Sequence, residues 1–229
     1  MATLLHLDSS ARGGIAGTQQ HGSHSRYLSS LFVKQWLQDN PQDQVIYRDI
    51  GLNPPAHIDH AWIEAAFSPL LQQTPAMQVV LQHSDQLIDE LLAADVIVIG
   101  FRMYNFGIPS ALKAYIDNVV RIGRTFNFDP ARDNPYIPLL SPATHLVTLT
   151  ARGGAGFDAG GLYASMNFAE PHLHTVFGFL GVQQFHQVAI EYQETGGEAL
   201  QQSIAAATAQ TLALATSIGR QLKPVMAVV

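Results

Sequence analysis

Cysteine is missing from all 229 residues. That absence excludes disulfides, thiolate zinc centres and a cysteine nucleophile, and it is compatible with a reducing, cytoplasmic setting. Long apolar runs are missing too, so no segment is expected to span a membrane. The residues Met1–Asp8 carry no basic leader, and a signal peptide is not expected there. Charge is not concentrated in one sign. Lys plus Arg number 12 against 18 Asp plus Glu, a net charge of −6 with no block of like residues. Nothing in that pattern is the electrostatic footprint of a nucleic-acid or anionic-lipid binder, which leaves small-molecule chemistry.

Several catalytic signatures are also absent. The first loop offers Gly13, Gly14 and Gly17, which is not the Gly-x-Gly-x-x-Gly of dinucleotide-binding folds, and there is no Gly-Lys-Ser/Thr for a nucleoside triphosphate. No Gly-x-Ser-x-Gly elbow supports a serine hydrolase. The histidines are scattered. His172 and His174 are two apart in a predicted helix, a spacing that points the rings away from each other, and no metal site is expected. His145 reads as a satisfied interior histidine.

What is present is an alternation of strand and helix patterns. Thr3 to Leu7 predicts a strand, and Asp8-Ser9-Ser10 opens an unusually long loop through Gly22. Leu28, Leu31, Phe32 and Trp36 then recur at helical spacing up to Asp39-Asn40-Pro41. Ser23, His24 and Ser25 therefore sit at a helix N-terminus, where free N–H groups and the dipole suit a phosphate; simple capping is the commoner use of serine there. Gln44 to Tyr47 predicts a second strand, and Ala61 to Phe67 and Met77 to Ala93 predict helices. Val96 to Ile99, mostly β-branched, reads as a strand buried on both faces of a parallel sheet. It stops in Met103-Tyr104-Asn105-Phe106, a flat and partly polar surface at the sheet edge where ligands bind in open α/β folds. Pro109 is expected just inside the helix that follows, Ala111 to Arg121.

Thr125 to Pro138 reads as a surface excursion, whose Phe126 and Phe128 either pin the loop or form a lip over a ligand. Thr144 to Thr150 is the fourth predicted strand. It ends at Ala151-Arg152-Gly153-Gly154, where glycines let backbone N–H groups approach a ligand. Ala169 to Leu180, Gln184 to Ile190 and Glu198 to Leu222 complete the series as helix, strand and helix. The expected architecture is α/β: a doubly wound, five-stranded parallel sheet with helices on both faces, in one domain over residues 1–229.

Taken together, these loops resemble the FMN-dependent NADH:quinone oxidoreductases and azoreductases of the flavodoxin-like superfamily. The matching features are Asp8-Ser9-Ser10, Ser23-His24-Ser25, Val96 to Ile99 running into Met103-Tyr104-Asn105-Phe106, Thr150 to Gly154, and Pro171 to Val182 before the last strand. The resemblance implies that Ser10, Ser23, His24 and Ser25 hold the FMN phosphate and that Met103, Tyr104, Asn105 and Phe106 flank the isoalloxazine. By the same resemblance Ala151, Arg152, Gly153 and Gly154 reach its pyrimidine side. It implies a ping-pong cycle in which NADH or NADPH gives a hydride to flavin N5, so no protein nucleophile or metal is needed, and a quinone or aromatic azo acceptor follows. A homodimer is implied, with Phe126, Phe128 and Phe168 as lip residues from either subunit. The alternatives are a flavodoxin-type FMN electron carrier, against which the dispersed −6 charge argues, and an NADPH-dependent FMN reductase. The Ala11–Gly22 loop is longer than is usual in that family, Arg102 precedes the Met-Tyr-Asn-Phe loop, and Ala151 replaces a more usual serine.

Overall fold

The computed structural model describes residues 1–222; residues 223–229 of the expected domain lie outside the described residues. Its frame is a five-stranded parallel sheet made of β1 (Thr3–Asp8), β2 (Gln44–Asp49), β3 (Val96–Arg102), β6 (His145–Ala151) and β7 (Gln184–Ile190), in the order β2-β1-β3-β6-β7. Each inner strand is apolar on alternate residues for both faces, so the sheet separates two cores. On one face Leu5, Ile97, Ile99, Phe101 and Leu146 pack under α3 (Pro75–Leu92), α4 (Ser110–Val119) and α5 (Glu170–Leu180). On the other, Leu4, Val96, Val98, Val147 and Leu149 pack under α1 (His24–Asp39) and α6 (Gly197–Gln221), chiefly through Phe32, Trp36 and Ile218. The short α2 (His60–Phe67) joins α3 through Trp62, Ala65 and Leu81. Burying such side chains is the dominant favourable term for a sheet covered on both sides.

The register sets where the loops emerge. Asp8 pairs with Gly100, Arg102 with Ala151, and Ala151 with Ile190. Hence the segments after β1, β3, β6 and β7 all leave from one edge. The chain passes from β1 to β2 on one side and to β3 on the other, so the strand order reverses between β1 and β3. That switch point leaves a crevice at the carboxyl edge.

Two local expectations change and one is met. The Thr125–Pro138 excursion contains an antiparallel hairpin, β4 (Phe126–Phe128) with β5 (Tyr136–Pro138), pinned to α5 by edge-on contacts of Phe126 and Tyr136 with Phe179. Helix α1 begins at His24, with Ser23 in the capping position expected of these serines, its hydroxyl accepting from the Arg26 amide. Pro109 lies outside its helix as the cap residue, in an extended conformation that proline tolerates without an N–H to satisfy.

Candidate functional site

The crevice is built from the first loop outward. Ser9 and Ser10 are buried directly beyond β1, and Ser9 Oγ donates to the Gly100 carbonyl at 3.2 Å. Residues 11–22 form an ordered excursion whose ends are zipped together: the Ser23 amide donates to the Gly14 carbonyl at 3.0 Å and the Ala16 amide to the Ser23 carbonyl at 3.2 Å. Gly22 makes this closure possible, since a Cβ there would lie 2.3 Å from the Ile15 backbone. The loop thus returns the chain to the start of α1 beside Ser10. There the Ser23 and Ser25 hydroxyls share a hydrogen bond of 3.0 Å, both residues buried. The amides of His24 and Ser25, the first N–H groups of the helix, have no acceptor among the described residues. Free N–H groups, serine hydroxyls and a helix dipole together form an anion cradle.

Beside this cradle lies a polar pocket of about 350 Å³ lined by Arg12, His21, His24, Arg102, Gln193 and Glu194, among others. Burial, then the charges of Arg102 and Arg12, push the His24 imidazole below its ordinary value. Arg102 donates to Gln193 Oε1, while Gln193 Nε2 is buried with no partner. An excess of positive charge with a spare donor suits a phosphorylated ligand. Arg12, Gln193 and Glu194 are absent from the sequence-derived site. Gln193 and Glu194 follow β7, whose loop must emerge at the same edge as the others in a parallel sheet, and that was the available signal.

The loop after β3 provides the opposite wall. Tyr104 and Gly107 exchange two backbone hydrogen bonds of 3.0 Å, and the residues between them, Asn105 and Phe106, both have positive φ, 47° and 69°. This is the backbone of a primed hairpin turn, uncommon for a phenylalanine, and it turns the Phe106 ring partly into solvent. The turn is fastened on both sides. The Ala11 amide donates to Tyr104 Oη at 3.3 Å, and the Phe168 amide donates to the Phe106 carbonyl at 2.9 Å. Met103, by contrast, is buried in the core under α4 and α5, and its amide donates to the Ala151 carbonyl.

The third wall is the segment after β6. Ala151 is buried in the strand, and the Arg152 side chain is wholly buried, turned inward to Glu170 at 2.7 Å, Asp158 at 2.8 Å and Glu191 at 3.2 Å. Only the main chain of this segment remains available, and the Gly153 and Gly154 amides have no acceptor among the described residues. Phe168 is brought to Phe106. Phe126 and Phe128 are not: they line a separate apolar cleft of about 400 Å³ with Trp62, Ile63, Phe67 and Tyr136. Among the described residues no group of three or more His, Asp or Glu side chains is arranged to hold a metal ion, and no helix is long and apolar enough to cross a membrane.

A family model described as the flavodoxin-like fold matches residues 2–214. The chain is 43% identical over 219 residues to FMN-dependent NADH:quinone oxidoreductase 2 of Idiomarina loihiensis, covering 95% of this chain and 91% of that one. It is 40% identical over 221 residues to FMN-dependent NAD(P)H:quinone oxidoreductase 1 of Pseudomonas aeruginosa, covering 95% and 100%. Among solved structures, an azoreductase from Bacillus anthracis superposes with a TM-score of 0.82 at 23% identity, covering 95% of this chain and all of that one. An FMN-dependent NADH-azoreductase of the same species, solved with FMN, superposes at 0.78 and 20%, covering 94% and 100%. These two likenesses speak to the fold. With the strand order, the cradle at α1 and the full-length relatives in agreement, the chain belongs to the flavodoxin-like family, among the FMN-dependent NADH:quinone oxidoreductases.

Proposed function

We propose that this protein is an FMN-dependent oxidoreductase that uses NADH or NADPH to reduce quinones by two electrons and aromatic azo compounds to amines, in a ping-pong cycle. The observation that carries the reading is the convergence of three complementary surfaces at one sheet edge: unpaired N–H groups at α1, the Tyr104–Gly107 turn, and unpaired N–H groups at Gly153 and Gly154. FMN has a matching set of parts, a dianionic phosphate, a flat ring and a carbonyl-rich pyrimidine edge. When bound, FMN supplies hydride acceptance and donation.

The chain's own residues then bind and orient. Ser10, Ser23, Ser25 and the α1 amides take the phosphate, and Arg12 and Arg102 add positive charge at its side. The turn at Asn105 and Phe106 forms a shelf for the ring. The Gly153 and Gly154 amides face the pyrimidine edge, where preorganised donors stabilise the negative charge that reduction places there. The exposed Phe106 and Phe168 rings would border a single stacking position for one flat partner at a time, which favours alternation of nucleotide and acceptor. Both phenylalanines are exposed, Phe168 by 66%. The second cleft, with Phe67 and Phe128 exposed on its rim, supports a homodimer in which the partner subunit covers this apolar surface. The whole chain acts as one domain, and the cysteine-free composition suits the cytoplasm, where reduced pyridine nucleotides are supplied.

Steady-state assays of the purified protein with NADH and NADPH, against menadione and an azo dye, test the activity. Turnover with parallel-line kinetics is expected, together with yellow colour retained through purification. Accumulation of a stable one-electron form under anaerobic titration, without NADH oxidation by a quinone, would sink the enzyme reading in favour of an electron carrier. Loss of flavin on purification with turnover of added FMN would favour a flavin reductase. Light scattering during size exclusion reads the dimer.

A further inference from the structure

We propose that Arg26 is the positioning residue of the phosphate cradle: from behind the first loop it sets the conformation in which that loop recognises a phosphate. The proposal rests on the FMN reading above. Arg26 lies in the first turn of α1, only 5% exposed, and every N–H of its guanidinium has an acceptor. Nε donates to the Arg12 carbonyl at 2.8 Å and Nη2 to the Ser10 carbonyl at 3.0 Å, so one side chain grips the loop on either side of Ala11. The remaining donors hold the edge strand: Asp49 accepts in a two-pronged pair at 2.8 and 2.6 Å, and Tyr47 Oη accepts at 3.3 Å. Asp8, whose carboxylate accepts from Ser29 at 2.7 Å, lies 3.5 Å from Nη1.

Three segments distant in sequence thus meet at one planar cation: the phosphate loop, the start of α1 and the end of β2. Gly51 presses the loop from the same side, where a Cβ would lie 2.2 Å from the Ser10 carbonyl oxygen. Neither Arg26 nor Asp49 is among the groups assigned to the phosphate. The effect is on the direction in which the Ser10 side chain and the adjoining backbone face. Ser10 Oγ is already committed to this geometry, accepting from the Arg12 amide at 3.2 Å. Lysine cannot reproduce the arrangement, because a point charge matches either the carboxylates or the two carbonyls, while the guanidinium fork spans both.

The test compares FMN with riboflavin, which lacks only the phosphate, by fluorescence titration of deflavinated wild-type, Arg26→Lys and Asp49→Asn proteins. For Arg26→Lys, FMN affinity is expected to fall ~10-fold, as for loss of oriented hydrogen bonds to a charged group, with riboflavin affinity unchanged. Asp49→Asn, which keeps the grip on both carbonyls, gives a smaller fall in the same direction, and it carries the test by itself if the lysine variant does not fold. An FMN-to-riboflavin ratio equal to wild type in both variants, or equal losses for the two flavins, would overturn the proposal, the latter indicating a merely structural role. Wild-type protein that binds riboflavin as tightly as FMN would instead overturn the phosphate assignment itself, and Arg26's role with it.

Discussion

Ser25 shows how much one hydroxyl is asked to do at this site. It is fully buried, bonded to Ser23 Oγ at 3.0 Å, and lies two residues past the helix cap Ser23. Ser25→Ala is expected to weaken FMN binding about tenfold, the scale of one lost hydrogen bond to a charged group. Unchanged affinity with a large loss in Ser10→Ala would move the phosphate to the other side of the loop. His24 offers a reading without mutation. Free, it is held below its ordinary value by burial and by two arginines, so a bound anion that offsets Arg102 and Arg12 is expected to raise its pKa. An NMR titration of the imidazole with and without FMN checks the direction. The serines and His24 were legible because a polar cluster before a helical apolar pattern is a local signal. Arg12 and Arg26 were not. Their importance comes from Arg102, Asp49 and Ser10, which only folding brings near them.

Among the elements, the loop after β3 carries the clearest strain. Asn105 tolerates a left-handed backbone because its short polar side chain can satisfy the chain locally, whereas a β-branched side chain is crowded there. Asn105→Val is therefore expected to cost ~1–3 kcal/mol of unfolding free energy, with Asn105→Gly close to wild type, as read by urea denaturation. The strand leading into this loop was plain from its apolar run, and the turn's geometry was not, since Tyr-Asn-Phe-Gly lacks the usual Asn-Gly pair at its centre. The β4–β5 hairpin was missed for a related reason. Its strands are three residues each, too short to show an alternation, and they are held by contacts with Phe179 on α5.

For the molecule as a whole, buried titratable groups make stability fall in acid. His145 and His186 share a hydrogen bond of 3.0 Å between their rings, and burial, with mutual repulsion for His145, lowers both below the ordinary value of 6.5. The folded state then favours neutral rings, so their contribution is complete above about pH 6.5 and is lost as pH falls, when the unfolded chain takes up protons more readily. Asp8 adds to the trend at lower pH. Burial raises its carboxyl, but His6, Ser29 and Arg26 outweigh that and hold it below its ordinary 3.8. The thermal midpoint is expected to drop steadily from pH 7 to pH 4, and His186→Gln to flatten the upper part of that slope, as calorimetry at several pH values would show.

The amino-acid order by itself determined the succession of strands and helices, the apolar strands of a two-faced sheet, the absence of thiol and P-loop chemistry, and the segments that face the carboxyl edge. Those properties are written in local periodicity, because a side chain's face follows from spacing along one element. The tertiary structure alone decided the order β2-β1-β3-β6-β7, the inward turn of Arg152 onto three carboxylates, and the grip of Arg26 on the first loop. Periodicity states that a strand is buried without naming its neighbour, and a charged side chain far from its partner in sequence finds that partner only when the sheet has closed the distance.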